Sequence, residues 1–310
     1  MSLILALLLQ VGPNPMSGGL PNDDLVRDRP PRSNVSDPLP GPDAAGEMNA
    51  TSAWLAGCLN QLDQDPARAH AMAQIRRSET SGTDRVLANH CLGTASAELG
   101  LWDDARAAFV AARAETPDDQ ARTRARFAAL AGNAALAGGD VQGALDLLTL
   151  AETDARTAKS APLEAIAATD RARALVTLGR GEEALAALQS ATMLAPDRSE
   201  GWLLKATLLR RLDRLGEAQT AIEQAAALAP ANPEIGLEAG VIAVLGARDT
   251  AARASWQSVI TLAPESPAAA TAKEYLAQLG DAGETAPPPT LTRRDRGAGR
   301  ARHGGAGELA

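Results

Sequence analysis

The chain has 310 residues, enough for one extended array or two compact domains, and only 2% of them are aromatic. Abundant alanine and leucine favour helices that approach closely over small side chains, while the shortage of aromatic residues disfavours a large β-sandwich. A formal net charge of -8 and a pI near 5.1 argue against a protein that tracks nucleic-acid phosphates.

The chain opens on an uncharged apolar run, Leu3 to Leu9, that stops at Gln10 and meets Pro13 and Pro15. It is shorter than the ~20 residues a membrane-spanning helix requires. Residues 1–12 suit the apolar core of an export signal, although the basic lead-in and an A-x-A cleavage site are missing. A periplasmic or otherwise exported chain is the expectation, with a cytoplasmic one as the alternative. Residues 13–49 are rich in Pro, Gly, Asp, Asn and Ser and read as a disordered linker; residues 280–310, with Pro287-Pro288-Pro289 and Gly304-Gly305, read as a disordered tail. Basic residues are almost all Arg, a usage that suggests a GC-rich bacterial genome rather than a mechanism.

Between the tails, three prolines, Pro196, Pro230 and Pro264, recur every 34 residues, each after Leu-Ala: Leu194-Ala195, Leu228-Ala229 and Leu262-Ala263. A fixed period of this length marks a repeat architecture. Here the sequence resembles the tetratricopeptide repeat family, whose 34-residue unit is a pair of antiparallel helices with small residues near positions 8, 20 and 27 and proline near 32. In that register units start at Ala165, Ser199 and Pro233. Position 8 is then Ala172, Ala206 and Gly240; position 20 is Ala184, Ala218 and Ala252; position 24 is Leu188, Ile222 and Trp256. Looser units start near 50, 86 and 125, the latter two with Gly93 and Gly132 at position 8 and Phe109 and Leu148 at position 24. Residues 266–279 read as a C-terminal capping helix.

The resemblance covers residues 50–279. It implies an all-α, right-handed α-solenoid of about six helix-turn-helix repeats closed by that cap and flanked by the two tails. Asp103-Asp104, Gly139-Asp140, Gly181-Glu182-Glu183 and Gly216-Glu217 fall between the helices of a unit, as turn or first-turn residues. Arg171 and Lys205 depart from the leucine the family prefers at position 7; their stems can pack while the charges reach water.

No catalytic constellation accompanies the repeats. His70, His90 and His303 are isolated, and nucleotide-binding, G-x-S-x-G and H-E-x-x-H motifs are missing. The chain is therefore expected to be neither an enzyme nor a holder of a metal or other cofactor. The two cysteines, Cys58 and Cys91, fall on neighbouring first helices that the family places side by side. They suit a disulfide in an oxidising compartment or two free thiols in a reducing one.

The resemblance also implies a concave groove lined by positions 2, 5, 9, 12 and 13 of the first helices. Those positions include Arg126, Asn133, Thr169, Arg173, Glu200, Thr207, Arg210 and Arg211, with Arg173, Arg210 and Arg211 expected to converge on one bound segment. The groove thus reads as basic inside an acidic protein. It points to a protein or peptide partner with an acidic segment or a free carboxylate, and to neither nucleic acid nor a membrane span. The family's carboxylate clamp is absent, because Ala129, Asp170, Glu200 and Leu204 replace four of its five residues and only Asn133 fits. The expected function is a non-enzymatic interaction scaffold or adaptor. The alternative is an assembly or quality-control subunit of a cell-envelope, secretion or cytochrome-maturation complex.

Overall fold

A computed structural model describes residues 53–280, and the expected signal segment, linker and tail lie outside the described residues. Among the described residues there are thirteen helices and no strand. They are α1 (53–62), α2 (Pro66–Glu79), α3 (Gly82–Glu98), α4 (Trp102–Glu115), α5 (Ala121–Ala137), α6 (Val141–Thr157), α7 (Ala161–Thr177), α8 (Gly181–Leu194), α9 (Ser199–Arg211), α10 (Leu215–Leu228), α11 (Pro233–Leu245), α12 (Asp249–Leu262) and α13 (Pro267–Leu279). From α2 onward consecutive helices pack on each other, and from α5 onward the odd-numbered helices also meet their odd-numbered successors. The result is an all-α solenoid. None of its helices is long and apolar enough to cross a membrane.

Local sequence explains where the helices stop and start. α8, α10 and α12 end at Leu194, Leu228 and Leu262, two residues ahead of the periodic prolines, because proline disfavours helical backbone in the residue before it. New helices begin with proline in the first turn at Pro66, Pro233 and Pro267, where its missing N–H costs nothing. The carboxylate of Asp140 accepts from the Gly143 N–H at 2.9 Å, and Asn232 and Ser266 cap α11 and α13 in the same way. Asp103, Asp104, Glu182, Glu183 and Glu217 occupy first turns, where acidic groups suit the helix dipole.

Inside each of the last five units the chain reverses through one residue of positive φ. Glycine supplies it at Gly100, Gly139 and Gly179; Asp213 and Ala247 adopt it at φ 59° and 55° without that freedom. α3, α5 and α7 have 17 residues against 13 in α9 and α11, and begin four residues before the unit starts at 86, 125 and 165. One extra N-terminal turn, together with a 17-residue α6 against 14 residues in α8, therefore accounts for most of the looser spacing upstream.

The core lies where the two helices of a unit cross. At Gly93 an added Cβ would stand 2.6 Å from the Phe109 ring, and at Gly132 2.6 Å from Leu148 Cγ; at Gly240 it would run into the Trp256 indole. Where position 24 is Leu188 or Ile222, position 8 is alanine, and all four of these side chains are buried. Small-against-large exchange across the crossing keeps the packing dense.

The two ends are closed differently. Cys58 and Cys91 are joined, with Cα atoms 6.3 Å apart, and lie fully buried among Ala69, Ala73, Leu92, Ala95 and Ala108. At the other end the Trp256 and Tyr275 rings meet at 5.2 Å between centroids, with Ala268, Ala269 and Ala272 of α13 packed around them.

Candidate functional site

The odd-numbered helices present one face, and its polar residues are mostly engaged with each other. Asn133 on α5 donates to Asp170 on α7 at 3.0 Å. Arg173, one turn further along α7, donates to Asp170 and also to Glu200 on α9. Farther on, Arg210 of α9 donates to Glu238 of α11 at 2.6 Å, with both side chains almost completely buried. Apart from Arg173 to Asp170 within α7, these links run from unit to unit. They hold the first helices in register and neutralise charge that the fold has removed from water.

Burial is the strongest influence on Asp170 and pushes its carboxyl above the ordinary range, against the opposing charge of Arg173. Burial also pulls on the Arg173 guanidinium, but the charges of Asp170 and Glu200 outweigh it and leave that group raised.

This arrangement corrects the expected groove. Arg210 is 1% exposed and faces Glu238, so it cannot join Arg173 and Arg211 on a bound segment. Thr169 and Thr207 are buried as well, and the Thr169 hydroxyl bonds back to the Ala165 carbonyl at 2.8 Å. Arg173 and Asn133 are largely covered and paired, whereas Glu200, Arg126 and Arg211 reach solvent. The groove is thus far less basic than a count of its arginines suggests. Reversing Arg210 would set a glutamate against Glu238 in the core and test folding rather than binding.

Sequence reasoning missed the partners of these arginines. Asp170 and Glu238 both fall at position 6 of their units, and the charged groups they meet lie at positions 9 and 12. A carboxylate at position 6 is the signal that could have found them. Arg171 at position 7 donates to Glu152 on α6 at 2.7 Å, and Lys205 sits 5.0 Å from the Trp202 ring centroid. Each departure from leucine thus finds a nearby partner.

One feature of this face remains open. Between α7 and α9 lies a depression of ≈ 450 Å³, including the part open to solvent, lined by Ala172, Val176, Leu188, Leu204 and Leu208 with Arg173, Thr207 and Arg211 around it. Among the described residues, Arg211 makes no hydrogen bond or ion pair. Desolvation first, and the charge of adjacent Arg210 second, hold its guanidinium below its ordinary value, while Glu238 opposes them. The Thr207 hydroxyl is buried without a hydrogen-bond partner. Toward the N-terminal end of the same face, His90 packs edge-on to Phe127 at 5.5 Å between ring centroids. Burial first, then the charge of Arg126, lower its pKa to about 4. No group of metal-binding side chains occurs among the described residues.

Comparison with known proteins agrees with this geometry. The tetratricopeptide repeat family matches residues 199–232, the unit formed by α9 and α10. No curated protein matches the chain in sequence. Among solved structures, Pseudomonas aeruginosa pilF is similar over 75% of this chain and 99% of its own, at 16% identity and a TM-score of 0.57. BtubC (BKLC) from P. vanneervenii is similar over 84% and 98%, at 14% identity and 0.50. YrrB, described as a TPR protein with an unusual peptide-binding site, is similar over 61% and 92%, at 18% identity and 0.44. With its small-against-large helix crossings and the family match on residues 199–232, the unit formed by α9 and α10 is a tetratricopeptide repeat, set in an array of helix pairs of the same fold.

Proposed function

We propose that the chain is a non-catalytic scaffold that holds a segment of a partner protein along the face of its odd-numbered helices. The observation that carries this reading is the depression between α7 and α9, an apolar patch open to solvent on the face that this repeat family uses for peptides. It lies beside Arg211, a cation with no hydrogen-bond or ion-pair partner among the described residues. The buried Cys58–Cys91 bridge supports an oxidising compartment, and the periplasm is the location we propose.

A photo-crosslinking residue introduced at Thr177, exposed on α7, or at Arg126, exposed on α5, tests the face directly. Both positions should yield an adduct with the same partner, and Met193, 82% exposed on the even-numbered α8, should yield none. Adducts at Met193 alone would move the partner to the other surface and overturn the proposal.

A further inference from the structure

We infer that the depression between α7 and α9 recognises an internal aliphatic residue followed by a single acidic residue in an extended partner segment, the aliphatic side chain seated on Val176, Leu204 and Leu208 and the carboxylate held by Arg211. This rests on the groove reading above and assigns its specificity.

Four observations lead there. First, the apolar lining comes from two adjacent units, which leaves a well at the seam between them for one side chain rather than a broad patch. Second, Arg211 is the lining cation without an internal partner, since Arg173 already serves both Asp170 and Glu200. A bare guanidinium beside apolar surface gains most from a forked contact with one carboxylate. Third, the Thr207 hydroxyl lies one helical turn before Arg211 in the same lining. Unlike Thr169 or Thr177 it does not bond back to its own helix, so the lining holds a buried hydroxyl whose hydrogen bond is unmet among the described residues. Fourth, Glu200 and Glu234 stand in the first turns of α9 and α11 on the same face. A run of acids would meet them with like charge, whereas one acid can be placed at the far end of α9, where Arg211 stands.

An internal acid is favoured over a chain terminus because the face continues past the depression on both sides, toward α5 and toward α11. A segment can therefore run through instead of ending there.

The test uses the full chain and N-acetylated, C-terminally amidated nine-residue peptides of Gly and Ser with a central Leu-Asp pair, read by nuclear magnetic resonance titration. Leu-Asp should bind at least tenfold more tightly than Leu-Asn or Ser-Asp. In Arg211→Gln the preference for Asp over Asn should vanish while the preference for Leu over Ser survives, and Arg211→Lys should restore part of it. Because Arg211 is exposed, an unchanged thermal melt accompanies these variants. An Asp preference that persists in Arg211→Gln would overturn the inference. So would equal binding of all the amidated peptides, or tighter binding of a free-acid Ser-Leu terminus. Failure of the peptides while the Thr177 crosslink still forms would remove this specificity and leave the groove reading in place; loss of the crosslink as well would remove both.

Discussion

The N-terminal and C-terminal ends of the array meet the same problem, a unit with a neighbour on only one side, with different chemistry. At the C-terminal end two large rings close the stack, Trp256 at 1% exposure and Tyr275 at 4%. At the N-terminal end the buried side chains of α1 and α2 are Cys58, Ala69 and Ala73, which remove little apolar area from water. A covalent link stands there instead. An end unit can be held by what it buries or by what the unfolded chain is forbidden to do, and this molecule uses one device at each end.

The largest effect should come from emptying the aromatic end. Trp256→Ala removes the side chain that fills the crossing at Gly240 and should cost about 3–5 kcal/mol, read as a fall in the denaturant midpoint. It should leave the reductant response of the other end unchanged. Next, Cys58→Ser with Cys91→Ser, or full reduction, should cost roughly 3–4 kcal/mol, given that the bridge closes a loop of 33 residues. Hydrogen exchange should show the loss in α1 to α3 and spare α12 and α13; uniform loss would mean that the ends are not independent.

Acid sharpens the contrast further. His90 lies in the N-terminal half with its pKa lowered to about 4 from 6.5, so the unfolded chain takes up this proton before the folded one. Stability from this group is fully present above about 6.5 and is lost as pH falls from there through 4, by up to about 3 kcal/mol. His90→Gln should flatten that slope in a pH series of melts, and an unchanged slope would show that other groups set it.

Which parts of this were legible in the sequence follows from the range of each interaction. The crossings at Gly93 and Phe109 or Gly240 and Trp256 lie within one unit, 16 residues apart, and the repeat register aligns them directly. The proximity of Cys58 to Cys91 needed only the expectation that first helices are neighbours, whereas their joining turned on a compartment the residues left open. Arg210 misled because position 12 on a single helix looks like groove surface, and its burial depends on Glu238 in the next unit, 28 residues away. Such a pairing shows only when position 12 of one unit is read against position 6 of the next. The extra turns of α3, α5 and α7 showed only as longer spacing that could extend a helix or a loop, since the residues that form them lie ahead of the matched register.

The chain of contacts from Asn133 through Asp170 and Arg173 to Glu200 bears on how such arrays change over time. Two of its links, Asn133 to Asp170 and Arg173 to Glu200, join a donor in one unit to an acceptor in the next, and Arg173 to Asp170 ties them together within α7. Duplicating or moving the unit that begins at Ser199 would preserve every helix crossing and still set an Arg210 beside a neighbour that lacks Glu238, a buried charge without its carboxylate. The packing is written in interchangeable blocks, whereas the polar spine numbers them. An array of this kind can lengthen freely only at its ends, and its middle units are fixed in order.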